Sequence, residues 1–122
     1  MARILIVDDD VDIIEASRVM LEMAGHQVEA AYSYKEGLDA ALKLKPDLMI
    51  LDVMMDEPDD GFALAQALRG RGITTPIIML TSVSRVTGMH FGVDDDLLPV
   101  NDFVQKPVDP AVLQEKVRAL LA

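Results

Sequence analysis

The sequence has 122 residues, a formal net charge of −10 and no cysteine. This length fits one domain, and a hydrophobic share of 51% suffices for a packed core. The acidic balance argues against nucleic acid or an anionic membrane as a partner, and the lack of cysteine excludes disulfides and thiolate metal sites. No apolar run approaches the roughly 20 residues that span a bilayer, and the short run after Arg3 cannot serve as a signal peptide. We therefore expect a cytoplasmic domain that covers residues 1–122.

Five short apolar runs are separated mostly by segments with helical periodicity. The runs are Arg3–Val7, Gln27–Ala31, Leu48–Leu51, Pro76–Leu80 and Asp102–Gln105. This alternation is typical of βαβ units with a parallel sheet that is buried on both faces. The sequence therefore predicts an α/β fold with five parallel strands.

Helix signals lie between the runs. The first helix is predicted to bury a stripe formed by Ile13, Ser17, Met20 and Ala24. Ser33 and Glu36 form a capping box before the second helix. A third stripe consists of Gly61, Leu64, Ala65 and Leu68, and the last helix begins at Asp109 and Pro110. Residues 84–101 show no sustained helical period, so we predict an irregular or shortened fourth helix there.

Polar side chains end several of the predicted strands. Asp8, Asp9 and Asp10 follow the first strand, Asp52 ends the third, Thr81 the fourth and Lys106 the fifth. Because right-handed crossovers bring the carboxyl ends of parallel strands to one edge, these groups converge there. The sequence thus predicts a site of carboxylates, a hydroxyl and an ammonium group.

A cluster of carboxylates requires a neutralising partner. Two charges 4 Å apart cost about 4 kcal/mol at an effective dielectric of about 20. Oxygen ligands without histidine or cysteine favour Mg²⁺, and a nearby lysine and hydroxyl suit a phosphoryl group. An aspartate can itself accept that group as an acyl phosphate.

Four segments together resemble the receiver domain of bacterial two-component response regulators. They are Ile4–Asp10, Asp47–Met55, Pro76–Ser82 and Asp102–Pro107, and they occur in the family's order. The resemblance implies a flavodoxin-like, doubly wound sheet with the strand order 2-1-3-4-5. It also implies phosphorelay signalling, in which a sensor histidine kinase or phosphotransfer protein donates the phosphoryl group and a downstream protein responds.

The resemblance assigns a role to each site residue. Asp52 matches the phospho-acceptor, Asp8 and Asp9 match the acidic pair that holds Mg²⁺, and the backbone carbonyl of Met54 matches a further ligand. Lys106 matches the lysine that pairs with the phosphoryl group and precedes a cis bond to Pro107. Thr81 matches the switch hydroxyl, and Phe103 matches the aromatic switch residue.

Two departures from the family pattern stand out. Gly61 lies one residue further from Asp52 than the pattern has it, so we expect the intervening residues 56–60 to form an acidic lip over the site. The stretch from Thr81 to Lys106 is also a few residues longer than in the family. No linker or DNA-binding segment follows the last helical stripe. We therefore expect a stand-alone receiver whose output is partner binding or onward phosphotransfer.

Two other interpretations stay open from the residues. The run Asp8–Asp10 also matches the Asp-x-Asp pattern of haloacid dehalogenase-type phosphohydrolases, with Asp8 as nucleophile and Asp10 as acid/base. The same fold could also serve as an interaction module that does not depend on phosphorylation. Labelling of Asp8 would favour the hydrolase, and partner binding that survives Asp52→Asn would favour the module.

Overall fold

In a computed structural model of the chain, residues 2–55, 60–82 and 100–121 are described. Strands and helices alternate through most of this range. The strands are β1 (Arg3–Val7), β2 (Gln27–Ala31), β3 (Leu48–Asp52), β4 (Ile77–Ser82) and β5 (Asp102–Lys106). The helices are α1 (Val11–Met23), α2 (Tyr34–Leu44), α3 (Asp60–Gly70) and α4 (Pro110–Leu121).

The five strands form one parallel sheet in the order β2-β1-β3-β4-β5. This order confirms the predicted flavodoxin-like fold. The register pairs Asp52 with Leu80 and Ser82 with Lys106. The carboxyl ends of β3, β4 and β5 are therefore neighbours along one edge.

The core lies in two layers, one on each face of the sheet. Alternate residues of each central strand enter opposite layers, so that Leu5 and Leu51 pack on the side of α2 and α3, whereas Ile4 and Ile50 pack on the side of α1 and α4. All of β3 is buried because both of its faces are covered. This burial explains why its sequence is a continuous apolar run that ends in a carboxylate.

Helix α1 buries a different stripe from the predicted one. The buried residues are Ile14, Ser17 and Leu21, whereas Ile13 and Met20 are only partly buried. Ala24 lies beyond the helix as its C-cap. Apolar residues occur in adjacent pairs on this helix, so periodicity alone does not decide which member of each pair faces the sheet.

The predicted cap of α2 forms, with one change. The hydroxyl of Ser33 accepts a hydrogen bond from the backbone N–H of Glu36 at 3.2 Å. The Glu36 carboxylate accepts from the N–H of Tyr32 at 3.0 Å, not from that of Ser33. The reciprocal bond of the capping box is thus displaced by one residue.

Arg69 ties together the beginnings of β4 and β5. Its guanidinium donates to the carbonyl oxygens of Ile73 (3.0 Å) and Thr75 (2.7 Å) and to Oδ1 of Asn101 (3.0 Å). Asn101 Oδ1 also accepts from the N–H of Ile77 at 2.9 Å, and the Asn101 N–H donates to the Ile77 carbonyl at 2.8 Å. We call this group the Arg69 clamp; it lies at the amino ends of the strands, opposite the predicted site.

The predicted irregular or shortened helix over residues 84–101 falls almost wholly outside the described residues. Only Val100 and Asn101 are described, and they lead directly into β5. Within the described ranges, no helix combines the length and the apolar character that crossing a bilayer requires.

Candidate functional site

A cavity of about 300 Å³ lies at the carboxyl edge of the sheet. Asp52 enters it from the end of β3, Thr81 from β4 and Lys106 from the end of β5. The remaining lining residues are Asp9, Asp10, Val53, Met54 and Met55. The structure thus brings the predicted strand-end residues together at one place.

Three carboxylates converge on this cavity. Asp8, Asp9 and Asp52 each offer one oxygen, and these oxygens lie within 4.8 Å of one another. Asp8 is fully buried and Asp52 is only 5% exposed, whereas Asp9 faces solvent. Two carboxylates of the cluster are therefore buried, and the third is accessible to solvent.

Lys106 is the cation that faces the two buried carboxylates. Its Nζ lies 2.9 Å from Oδ1 of Asp52 and 3.3 Å from Oδ2 of Asp8. The Lys106–Pro107 peptide bond is cis, as the resemblance implies. One ammonium group thus bridges the ends of β1 and β3 from the edge strand β5.

Backbone contacts fix Asp8, and they give Asp10 a different role. Asp8 Oδ1 accepts from the N–H of Asp10 at 2.9 Å, and the Asp8 N–H donates to the Ala31 carbonyl at 3.1 Å. The Asp10 carboxylate instead caps α1 by accepting from the N–H groups of Asp12 (2.9 Å) and Ile13 (3.3 Å). Both oxygens of Asp8 therefore face donors within the site, whereas Asp10 stabilises the helix start.

Burial dominates the electrostatics of the carboxylates. Burial raises the pKa of Asp8 from 3.8 to about 6, and the nearby Asp52 charge adds to this, although the Asp10 N–H and Lys106 oppose it. Burial also raises the pKa of Asp52, against the opposing hydrogen bond from Lys106. The pKa of Lys106 would fall through burial, but its contacts with Asp52 and Asp8 outweigh that effect and raise it.

The residues that the structure describes do not balance the charge of the site. Three carboxylates and one ammonium group leave a formal charge of −2, which a divalent cation would match. All the donors are hard oxygens, the ligands that Mg²⁺ prefers. Met54, whose carbonyl is the predicted further ligand, lines the same cavity. The residues present therefore fit a magnesium ion.

The two predicted switch residues differ in position. Thr81 is 2% exposed and lines the cavity. Phe103 is half-buried in β5 and does not line the cavity; its ring packs against that of Phe62, with centroids 6.5 Å apart.

Sequence reasoning missed the way in which α3 begins. The N–H of Gly61 donates to the Val53 carbonyl at 2.8 Å, and a Cβ at Gly61 would collide with the backbone carbonyl of Asp52. Asp60 belongs to the predicted acidic lip, but it is buried as the first residue of α3. The rest of the lip, residues 56–59, lies outside the described residues.

The sequence is similar to those of known proteins. Residues 4–118 match the family model of the response regulator receiver domain. The response regulator MprA of Mycobacterium tuberculosis is 41% identical, over 98% of this chain and 50% of its own. The DNA-binding dual master transcriptional regulator RpaA of Synechocystis is 38% identical, over 99% of this chain and 49% of its own.

Solved structures show the same fold. The chemotaxis response regulator CheY4 of Vibrio cholerae aligns with a TM-score of 0.86 at 31% identity and covers 99% of both chains. A putative response regulator of Chloroflexus aurantiacus aligns with a TM-score of 0.84 at 33% identity, over 98% of this chain and 97% of its own. The chain spans about half the length of the curated relatives it matches. From the family match and the agreement of its fold, the chain belongs to the response regulator receiver domains.

Proposed function

We propose that this chain accepts a phosphoryl group on Asp52 and thereby controls a partner protein. The observation that carries this proposal is the position of the Asp52 carboxylate, 2.9 Å from the Lys106 ammonium group and beside Asp8 and Asp9. Each group supplies one requirement of phosphoryl transfer, which depends mainly on positioning and charge neutralisation.

Mg²⁺ would be held by Asp8, Asp9, Asp52 and the backbone carbonyl of Met54. When bound, it offsets the negative charge of the cluster and of the incoming phosphoryl oxygens. Support comes from the formal charge of −2 that the described site residues leave uncompensated. The solvent-facing Asp9 leaves one side of the cluster open to an ion that keeps several of its waters.

The transfer step uses the Asp52 carboxylate as nucleophile. One of its oxygens attacks phosphorus, an O–P bond forms, and the bond from phosphorus to the imidazole nitrogen of the donor histidine breaks. The electron pair of that bond leaves with the imidazole ring. The donor in this proposal is a phosphohistidine on a sensor histidine kinase or a phosphotransfer protein.

Lys106 and Thr81 would then hold the phosphoryl group. In the unphosphorylated structure the ammonium group of Lys106 contacts both Asp8 and Asp52. After the transfer it pairs with one phosphoryl oxygen, and the Thr81 hydroxyl donates to another. These new contacts favour one of two existing conformations, in which Phe103 packs differently. Because phenylalanine lacks a hydroxyl, this switch works by packing alone.

The receiver unit in this proposal comprises residues 1–122 and acts in the cytoplasm through a downstream protein. Its net charge of −10 argues against direct contact with DNA, even though the relative RpaA is a DNA-binding regulator. The expectation of a stand-alone receiver stays a prediction.

Mass spectrometry after incubation with acetyl phosphate and Mg²⁺ tests the proposal. We expect the wild type to gain one phosphoryl group, mapped to the peptide that contains Asp52. Asp52→Asn should abolish the label, whereas Asp47→Asn should keep it, because Asp47 binds the Arg3 N–H at the opposite edge of the sheet. A label on Asp8 would overturn the proposal in favour of the hydrolase.

A further inference from the structure

We infer that Phe62, in the first turn of α3, couples phosphorylation of Asp52 to the position of the Phe103 ring. This inference rests on the proposed function and adds a regulatory residue to it. It arises from two contacts that lie side by side in the sequence, one made by Gly61 and the other by Phe62.

The first contact joins α3 to the acceptor. Gly61 sits so close to the end of β3 that the Asp52 carbonyl and the Val53 Cα occupy the space where a Cβ would lie. The Gly61 N–H donates to the Val53 carbonyl at 2.8 Å. The first turn of α3 is therefore seated on the backbone of the acceptor residue, and a shift of that backbone must move the turn.

The second contact joins the same turn to β5. The ring centroids of Phe62 and Phe103 lie 6.5 Å apart, and the ring planes meet at an angle of 52°. Aromatic pairs favour such a tilted geometry. Both rings are half-buried and pack against the same core layer. Phe103 stands three residues before Lys106 on the same strand. Its ring therefore contacts α3 while its strand contributes the ammonium group of the site.

The two contacts form a path from Asp52 through Gly61 and Phe62 to Phe103 that does not include Thr81. Close-packed side chains transmit small displacements because they have discrete arrangements. Phe62 is thus a positioning residue, which transmits the change at Asp52 to the Phe103 ring and does not touch the phosphoryl group.

Ring resonances of the full chain provide the test. The chain has three phenylalanines, so selectively labelled rings can be assigned by substitution. In the wild type, beryllofluoride with Mg²⁺ should shift the Phe62 and Phe103 signals with one midpoint. In Phe62→Leu the Phe103 shift should fall to about half or less, and Phe62→Tyr should restore it. Acetyl phosphate labelling of Asp52 should be unchanged in both variants.

Tyr34→Leu is the matched control, because Tyr34 is a half-buried aromatic residue that packs on the same core layer from α2. It should keep the full Phe103 response. The inference is overturned if the Phe103 signal of Phe62→Leu shifts as much as in the wild type, or if Tyr34→Leu reduces that shift as much as Phe62→Leu does. It is also overturned if the Phe62 and Phe103 signals of the wild type shift with different midpoints. Any of these results with Asp52 labelled leaves the proposed function intact. An unlabelled Asp52 in the wild type refutes both.

Discussion

The ammonium group of Lys106 lies 2.9 Å from a carboxylate oxygen of Asp52. Among the described residues that line the cavity it is the one positive group, and it approaches from the edge strand, whereas Asp52 ends the central strand. Ion pairing raises the pKa of Lys106 in spite of burial, so the ammonium group is charged at neutral pH. A chemical change at Asp52 therefore alters a direct contact of β5.

Lys106→Ala should weaken the conformational response to phosphorylation more strongly than it changes the binding of Mg²⁺. Removal of a positive charge makes the cluster more negative, so we expect magnesium affinity to stay equal or to rise. Calorimetry with Mg²⁺ and the ring signals with beryllofluoride measure the two effects. Lys116→Ala is the control, because Lys116 forms a comparable 2.9 Å pair with Asp102 outside the cavity. An intact response in Lys106→Ala would show that this role is wrong.

Asp8 should give the metal-free protein a distinctive pH dependence. Its pKa is raised to about 6, so the ionised form destabilises the folded state above that pH. The cost is relieved as the pH falls from about 7 towards 4, where the unfolded chain begins to take up the proton as well. Asp8→Asn should therefore be more stable than the wild type at pH 7.5, by about 1–2 kcal/mol.

Urea unfolding at several pH values measures this difference. The advantage of Asp8→Asn should shrink steadily between about pH 7 and pH 5 as the wild type protonates. Saturating Mg²⁺ should remove the advantage at pH 7.5, since the ion stabilises the ionised carboxylate in the wild type. A gap that does not vary with pH would contradict the burial effect.

Gly61→Ala should destabilise the fold strongly. The added methyl group collides with the Asp52 carbonyl, and overpacking against backbone costs about 3 kcal/mol. Gly70→Ala is the matched control at the other end of α3, where a Cβ meets nothing within 4 Å. It should stabilise the protein by about 0.5–1 kcal/mol. Equal unfolding midpoints for the two variants would contradict the close approach of α3 to the acceptor.

The acyl phosphate should be long-lived. Met54 lines the cavity beside Asp52 and offers no group that could orient an attacking water; Val83, the apolar residue that follows β4 in the sequence, lies outside the described residues. A positioned general base contributes about 100-fold or more to such a reaction, so Met54→Glu should shorten the lifetime, whereas Met54→Leu should not. Loss of the label measured over time decides this, and a wild-type lifetime of seconds would be inconsistent with it.

The strands and the edge where the site lies could be predicted because buried strand positions are occupied by apolar residues. Arg3–Val7 and Gln27–Ala31 match β1 and β2 residue for residue. The last four residues of β1 are buried and apolar, whereas in the edge strand β2 exposed Gln27 and Glu29 alternate with buried Val28 and Ala31. The convergence of Asp52 and Lys106 followed from the common direction of parallel strands. The resemblance then supplied roles that residue types alone leave open.

Other features depend on contacts that sequence spacing does not encode. The third stripe reveals a helix, but its closeness to Asp52 depends on how α3 packs against β3. The Phe62–Phe103 contact joins residues that are far apart in the chain. The burial of Asp60 was also missed, because an acidic residue in a run of acidic residues is usually solvated.

The Arg69 clamp has a consequence for how β4 and β5 can move. It fastens Ile77 to Asn101 through side-chain and backbone bonds at the amino ends of the two strands. Relative displacement of the strands then has a pivot at that end, and its amplitude increases with distance from it. The slowest amide exchange in these strands should therefore occur at Ile77, and the fastest near Thr81 and Lys106. The domain is anchored on one side so that its opposite rim can respond.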